Sequence, residues 1–174
     1  MNVETVRIRR LQGVTEAEAR GLADVLVDCV EGGASVSFMH PLALDRALAF
    51  WHGVGLSAAR GERVLLVAED DAGSILGTVQ LVLDQPENQP HRADLSKMLV
   101  HRSARRRGLG ALLMQAAEDS ARSAGKTLLV LDTASADAER LYERMGWQRC
   151  GVIPGYALLP QGGLCDTTYF YRRL

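Results

Sequence analysis

Apolar residues recur along this chain with two spacings, one typical of helices and the other of strands. The helical spacing predicts amphipathic helices within residues 15–31, 41–60, 109–123 and 136–145. Thr15 and Glu18 form a capping box at the start of the first of these helices. Residues 154–166, which are rich in Gly and Pro, are predicted to be an irregular connection. Alternating or continuously apolar segments predict strands at residues 6–9, 63–69, 74–83, 92–100, 127–133, 147–153 and 167–171.

The order of these elements predicts an α/β fold. Strands and helices follow one another as β-α-α-β-β-β-α-β-α-β-β, which implies a mixed sheet with helices on both faces. The chain has 174 residues, enough for one domain with a substantial core. We therefore expect residues 1–174 to form a single domain.

Composition and charge exclude several classes of protein. A hydrophobic content of 47% excludes a disordered chain, and a net charge of −1 favours no nucleic-acid partner. The sequence has neither a secretory signal pattern nor an apolar segment of about 18 residues, so we expect no export and no membrane helix. The three cysteines and four histidines lack the spacing of metal ligands. This pattern favours a cytoplasmic protein with reduced thiols and no metal.

One stretch has a distinctive composition. The predicted strand at residues 92–100 is followed by a basic loop, and the loop leads into the predicted helix at residues 109–123. Gly108 and Gly110 leave no side chain over the first helical turn, where unpaired N–H groups and the helix dipole favour a phosphate. Other interpretations stay open on these residues alone. A Gly-x-Gly turn is common, and Leu113 stands where a dinucleotide-binding fingerprint needs a third small residue. The arginines at 105–107 also suit a solvated surface or a nucleic-acid patch.

Two motifs in this region resemble those of the Gcn5-related N-acetyltransferases, the GNAT family. Residues 105–110, Arg-Arg-Arg-Gly-Leu-Gly, resemble the family's acetyl-CoA signature Arg/Gln-x-x-Gly-x-Gly/Ala, and they too follow a strand and open a helix. Residues 141–147, Leu-Tyr-Glu-Arg-Met-Gly-Trp, are similar to the family's Leu-Tyr-x-x-x-Gly-Phe segment, with Trp for Phe. The resemblance implies a GNAT fold, with a mostly antiparallel sheet of about seven strands and about four helices. It also implies acetyl-CoA as cosubstrate and acetyl transfer to an amine.

The resemblance further implies which residues hold acetyl-CoA. The backbone of residues 105–111 is implied to bind the diphosphate, and that of the preceding strand to bind the pantetheine arm. Many members carry an Asn after the next buried strand; here Ser135 either replaces it or only caps the following helix. The implied cofactor-binding residues are Met98, Leu99, Val100, Arg105, Arg106, Arg107, Gly108, Leu109, Gly110, Ala111 and Ser135.

Segments elsewhere, at residues 32–39, 97–105, 131–133 and 154–156, resemble the tabtoxin-resistance branch of the same family. That branch acetylates tabtoxinine-β-lactam, an amino-acid-like inhibitor of glutamine synthetase. The resemblance therefore implies a small amino-acid-like acceptor and a role in toxin or antibiotic resistance. It also makes Ser35, Phe38 and Tyr156 candidate substrate-binding residues. On the residues alone, the segment 34–39 is either a plain linker between helices or a substrate-facing lip.

Acetyl transfer to a protonated amine needs a base, and two carboxylates are candidates. Asp94 lies near the start of the strand that leads into the basic loop, and Asp132 ends an apolar strand. Burial would raise the pKa of either group and make it a better base. Asp94 could instead be a surface charge or contact the substrate ammonium, and Asp132 could cap its strand end. The resembled branch has acids at both positions, with the longer Glu in place of Asp94.

Tyr142 is the candidate general acid. The resemblance implies that its hydroxyl faces the CoA sulfur and protonates the departing thiolate. By helical spacing alone, Tyr142 would be a core aromatic residue.

The resulting hypothesis is an enzyme that acetylates the amine of a small molecule by direct attack in a ternary complex. Acetylation of a protein N-terminus or lysine is the enzymatic alternative, and an acyl-CoA-binding module without catalysis is the other. We expect a small-molecule amine and acetyl-CoA as partners, no nucleic acid or membrane, and a monomer or homodimer.

Overall fold

The described part of the chain, residues 5–174 of a computed structural model, forms one mixed sheet with four helices. The strand order is β1-β2-β3-β4-β5-β7-β6, and every neighbouring pair is antiparallel except β4 and β5. The predicted fold class is therefore confirmed. In chain order the elements are β1 (Arg7–Leu11), α1 (Glu16–Glu31), α2 (Leu44–Ala59), β2 (Arg63–Glu69), β3 (Ile75–Val82), β4 (Arg92–Val100), α3 (Leu109–Ser123), β5 (Leu128–Thr133), α4 (Ala136–Arg144), β6 (Gln148–Leu158) and β7 (Leu164–Arg173).

The sheet separates two hydrophobic cores. Leu65 and Val67 of β2 face α1 and α2, whereas Val64 and Leu66 face the core that α3 and α4 cover. Burial on both faces explains why β2 is a continuous apolar run rather than an alternating one. The described part of the chain contains no helix with the length and apolar character needed to span a bilayer.

Local signals set several helix boundaries as predicted. The Thr15 hydroxyl accepts a hydrogen bond from the Glu18 N–H (3.3 Å), and the Glu18 carboxylate accepts one from the Thr15 N–H (2.9 Å). The predicted capping box is thus confirmed, and α3 has the predicted bounds. Helix α2 begins at Leu44, later than predicted, and Pro41 lies in the loop before it.

The prediction of an irregular connection at residues 154–166 is wrong. Strand β6 continues to Leu158 and β7 begins at Leu164, so only a short turn joins them. A register shift between Ile153 and Ala157 accommodates Pro154, because a bulge leaves a residue out of the ladder. Gly162 and Gly163 both have positive φ in the turn.

Strands β4 and β5 are paired only at one end. The parallel ladder joins residues 92–94 to residues 128–130, and the strands separate beyond it. Strand β4 also contains a bulge, since Lys97 has φ +50 and the β3–β4 register shifts between Thr78 and Gln80. The separation opens a wedge in the sheet, which the larger cavity described below occupies.

Candidate active site

A cavity of about 820 Å³ lies where β4 and β5 separate. Its walls come from the α1–α2 loop, β4, the turn before α3, the end of β5 and α4. Arg107 lies between two lining residues and is not part of the lining. The other predicted cofactor-binding residues all line this cavity: Met98, Leu99, Val100, Arg105, Arg106, Gly108, Leu109, Gly110, Ala111 and Ser135.

The turn before α3 presents open backbone donors to this cavity. Gly108 occupies the N-cap position with φ 78 and offers no side-chain cap. The first N–H groups of α3 therefore remain available to an anion, as at other phosphate-binding helix starts. A Cβ on Gly110 would lie 3.0 Å from Leu141 Cδ2, so glycine here lets α4 approach the turn closely. These features fit the diphosphate of a CoA molecule.

Two arginines near this turn, Arg102 and Arg105, form hydrogen bonds with other parts of the chain. Arg105 Nε donates to the carbonyl oxygen of Val100 at 3.2 Å, and Cys29 Sγ lies 3.5 Å from the same oxygen. Arg102 donates to Asp28 through its backbone N–H (2.7 Å) and through Nε (2.9 Å). These contacts fix the loop between β4 and α3 to helix α1.

Replacing Asp28 with Asn should destabilise the fold in a pH-dependent way. Burial opposes ionisation of Asp28, but the hydrogen bonds from Arg102 and the charge of His101 lower its pKa. A lowered pKa stabilises the fold above the unfolded-state value of about 4, and this stabilisation is lost as the pH falls through the folded-state value. We expect Asp28→Asn to cost about 1–2 kcal/mol of unfolding free energy at pH 7. Urea denaturation at pH 7 and at pH 3 measures this, and a difference from wild type that is as large at pH 3 as at pH 7 would contradict it.

A second cavity, of about 270 Å³, lies between the α1–α2 loop and the β6–β7 hairpin. Ser35, Phe38 and Tyr156, the predicted substrate-binding residues, all line it. Five residues line both cavities, so the two spaces meet there: Ser35, Ser37, Asp132, Thr133 and Ala134.

Asp132 is the one carboxylate among the described residues that lines both cavities. Its Oδ2 accepts a hydrogen bond from Thr167 Oγ1 at 2.7 Å. The Asp132 carboxylate is exposed, because β4 turns away from β5 at this point.

Asp94 lies outside both cavities. It pairs with Arg92 and accepts a hydrogen bond from Gln85 Nε2 at 3.1 Å. Its side chain is 43% exposed. Strand register places Asp94 opposite Val130, at the paired end of β4 and β5, and Asp132 lies two residues further along β5.

Tyr142 is both a core residue and a cavity-lining residue. Only 4% of it is exposed, and its ring packs edge-on against Phe170 at a centroid distance of 5.8 Å. It also lines the larger cavity. Burial raises the pKa of Tyr142, and the negative charge of Asp132 adds to the rise. The phenol is therefore protonated at neutral pH.

Two cavity-lining residues escaped the sequence analysis, Thr167 and Lys97, as did Tyr169, which pairs with Asp132 across β5 and β7. Tyr169 faces Asp132 across the β5–β7 pair, and its hydroxyl lies 3.2 Å from that of Tyr156. The hydrogen bond with Tyr156, burial and the charge of Asp132 together raise the pKa of Tyr169 to about 12. The two-residue period of β7 places Thr167 and Tyr169 on one face, but the pairing with β5 is not apparent from the sequence.

Within residues 5–174, no group of three His, Cys, Asp or Glu side chains could hold a metal ion.

Comparisons with known proteins add an independent line of evidence. Residues 33–147 match the model of the acetyltransferase (GNAT) family. An uncharacterized N-acetyltransferase from the hisH–hisA intergenic region of Azospirillum brasilense is 33% identical over 129 residues, which cover 73% of this chain and 74% of the relative.

Solved structures share the fold. Ribosomal-protein-alanine N-acetyltransferase from Brucella melitensis superposes with a TM-score of 0.81 at 23% identity, covering 97% of this chain and 99% of the other. The structure of yncA from Salmonella typhimurium with its cofactor acetyl-CoA gives a TM-score of 0.78 at 21% identity, covering 98% and 94%.

Proposed function

This chain belongs to the acetyltransferase (GNAT) family, and we propose that it acetylates the amine of a small amino-acid-like molecule. As a family member it is an N-acetyltransferase that transfers an acetyl group from acetyl-CoA to an amine. The observation that carries the finer proposal is the junction of a large and a small cavity at Asp132. Donor and acceptor can occupy the two cavities together, which supports direct attack in a ternary complex.

The donor side is the larger cavity. Acetyl-CoA supplies an activated acetyl group as a thioester. We assign the diphosphate to the N–H groups from the turn at Gly108 and Gly110, where the helix dipole favours negative charge. We assign the pantetheine arm to the edge of β4 that separation from β5 leaves unpaired, at Met98, Leu99 and Val100.

We assign the role of base to Asp132. The pKa of an amine is about 8 at a peptide N-terminus and about 10.4 on a lysine side chain, so most of an amine acceptor arrives protonated at neutral pH and must lose a proton. Asp132 lies at the junction of the cavities, and Thr167 fixes one of its oxygens. The other oxygen is left for the ammonium of the acceptor. Asp94, outside both cavities, receives no part in proton transfer.

We assign to Tyr142 the role of hydrogen-bond donor to the sulfur of CoA as it leaves the acetyl group. Because its pKa is raised, its hydroxyl keeps its proton and acts as a donor. A hydrogen bond to a developing thiolate stabilises that charge more than it stabilises the neutral thioester, which is the condition for lowering the barrier.

The size of the smaller cavity favours a small acceptor. Its 270 Å³ falls below the range of about 300–1,000 Å³ that is common for drug-sized ligands. An amino-acid-like molecule, with tabtoxinine-β-lactam as the example that the sequence resemblance suggests, suits such a space. With such an acceptor, we propose a role in toxin or antibiotic resistance, which the sequence resemblance suggests.

A panel assay tests this proposal. Thiol release from acetyl-CoA is measured with free amino acids, β-lactam amino acids, polyamines and peptides with a free N-terminus. We expect a free amino compound to give the highest kcat/KM. Acetylation of peptides alone would contradict the small-acceptor proposal, as would thiol release that no amine raises above background.

Replacing Gly108 with Ala should weaken acetyl-CoA binding. The φ of 78 costs a residue with a Cβ about 1–2 kcal/mol, so the turn relaxes and its N–H groups move. We expect KM for acetyl-CoA to rise about tenfold, with the acceptor KM unchanged. Steady-state kinetics with each substrate varied in turn gives both values.

Gly73→Ala is the matched control for this change. Gly73 has φ +81 in the β2–β3 turn, and like Gly108 it has nothing within 4 Å of an added Cβ. Both variants should lose similar stability, but Gly73→Ala should keep the wild-type KM. Equal KM values for the two variants would contradict the assignment of the turn.

A further inference from the structure

Lys97 lies at the bulge of β4, and the bulge determines where its side chain points. With φ +50, it leaves the regular alternation of the strand and extends toward the α1–α2 loop and α2. Its Nζ donates to Ser37 Oγ at 3.2 Å and lies 5.9 Å from the centroid of the Phe50 ring. Lys97 lines the larger cavity together with Asp132.

The surroundings of Lys97 leave its positive charge incompletely compensated. Among the described residues it forms no salt bridge with a carboxylate, and its hydrogen-bond partner Ser37 is neutral. Burial lowers the pKa of Lys97, the charge of Asp132 raises it, and the nearby Arg63 lowers it. A partly buried cation without a carboxylate partner is unfavourable, and a bound anion would relieve this cost.

The position of Ser37 connects this cation to the acceptor side. Ser37 lines both cavities, so the contact between Lys97 and Ser37 lies at the junction that Asp132 also occupies. A cation and a carboxylate at one junction complement a ligand that has an ammonium and a carboxylate close together. Free amino acids have this charge pattern. Polyamines lack the carboxylate, and in a peptide the carboxylate of the N-terminal residue is converted to an amide.

We infer that Lys97 binds the carboxylate of the acceptor and selects zwitterionic amino acids over amines that lack a free carboxylate. The inference rests on the proposed function, because it concerns the acceptor of that reaction. In the bound state the acceptor's ammonium faces Asp132 and its carboxylate faces Lys97. Because Lys97 lines the larger cavity and not the smaller one, the acceptor extends across the junction, and the two contacts hold its charged ends beside the larger cavity.

A two-by-two comparison of kinetics tests the inference. Wild type and Lys97→Met are assayed with the best amino acid from the panel and with its carboxamide, which has the same shape without the charge. We expect wild type to prefer the acid by about 10–150-fold in kcat/KM, the range for a hydrogen bond to a charged group. Lys97→Met should lose that factor for the acid and change the carboxamide by less than about twofold.

Two further variants serve as controls. Lys97→Arg keeps the charge and should retain most of the preference for the acid. Lys126→Met is the same change at the only other lysine of the chain, whose ammonium binds the carbonyls of Leu83 and Pro90 away from the cavities. It should keep the wild-type ratio of acid to carboxamide. Equal wild-type rates for acid and carboxamide would overturn the inference, as would an equal loss for both in Lys97→Met.

A binding measurement distinguishes a failure of this inference from a failure of the proposed function. With only two lysines, reductive ¹³C-methylation gives a small set of NMR signals that Lys97→Met assigns. Acetate should shift the Lys97 signal and acetamide should not, while the Lys126 signal stays fixed. If acetate leaves the Lys97 signal unchanged, carboxylate binding is wrong. Failure of every amine in the panel would instead reject the proposed function.

Discussion

Asp132→Asn is expected to lower kcat/KM for the acceptor by about 10²–10⁴-fold, the usual contribution of a general base. The substitution keeps the shape of the side chain, and its amide oxygen can still accept the hydrogen bond from Thr167. It removes the capacity to take a proton at the junction of the two cavities. Steady-state kinetics measures the loss, and calorimetry with CoA should show unchanged binding.

Asp94→Asn is the matched control, since it makes the same change on the neighbouring strand outside both cavities. It should lower kcat/KM less than about tenfold, because the group it alters is bound by Arg92 and Gln85. A larger loss from Asp94→Asn than from Asp132→Asn would move the base to Asp94 and reject our assignment.

Tyr142→Phe is expected to lower kcat by about 10–150-fold and to leave both KM values close to wild type. The change removes only the hydroxyl, so the packing against Phe170 and Trp147 is retained. The size of the effect follows from a hydrogen bond to a charged sulfur, at about 1.5–3 kcal/mol. Loss of kcat without loss of binding indicates an interaction made only in the transition state.

Tyr171→Phe removes a hydroxyl in the same way but outside both cavities, where it binds Gln148. It should leave kcat within about twofold of wild type. If Tyr142→Phe behaves like this control, Tyr142 is only a core aromatic residue.

The acetyl-CoA side could be predicted from the sequence because its determinants are contiguous. The strand, the basic loop, Gly108 and Gly110 lie within residues 92–110, and the preference of a helix start for phosphate is a local property. The structure places all but one of the predicted cofactor-binding residues around the larger cavity.

The acceptor side depends on pairings between distant segments. Thr167 and Tyr169 reach Asp132 only because β7 pairs with β5 across some 35 residues, and nothing in either strand specifies that partner. The exposure of Asp132 is not apparent from the apolar run before it. Leu129 and Leu131 of that run are buried, but the separation of β4 from β5 exposes Asp132.

The short ladder between β4 and β5 makes this sheet mechanically two plates, β1–β4 and β5–β7–β6, joined by a seam of three residue pairs. Backbone hydrogen bonds fix each plate internally, but they do not set the angle between the plates. Side chains packed across the seam, such as Leu95 and Leu131, set it instead. The width of the opening between β4 and β5, to which we assign the thioester, is therefore a property of the hydrophobic core, held by volume and shape rather than by hydrogen bonds.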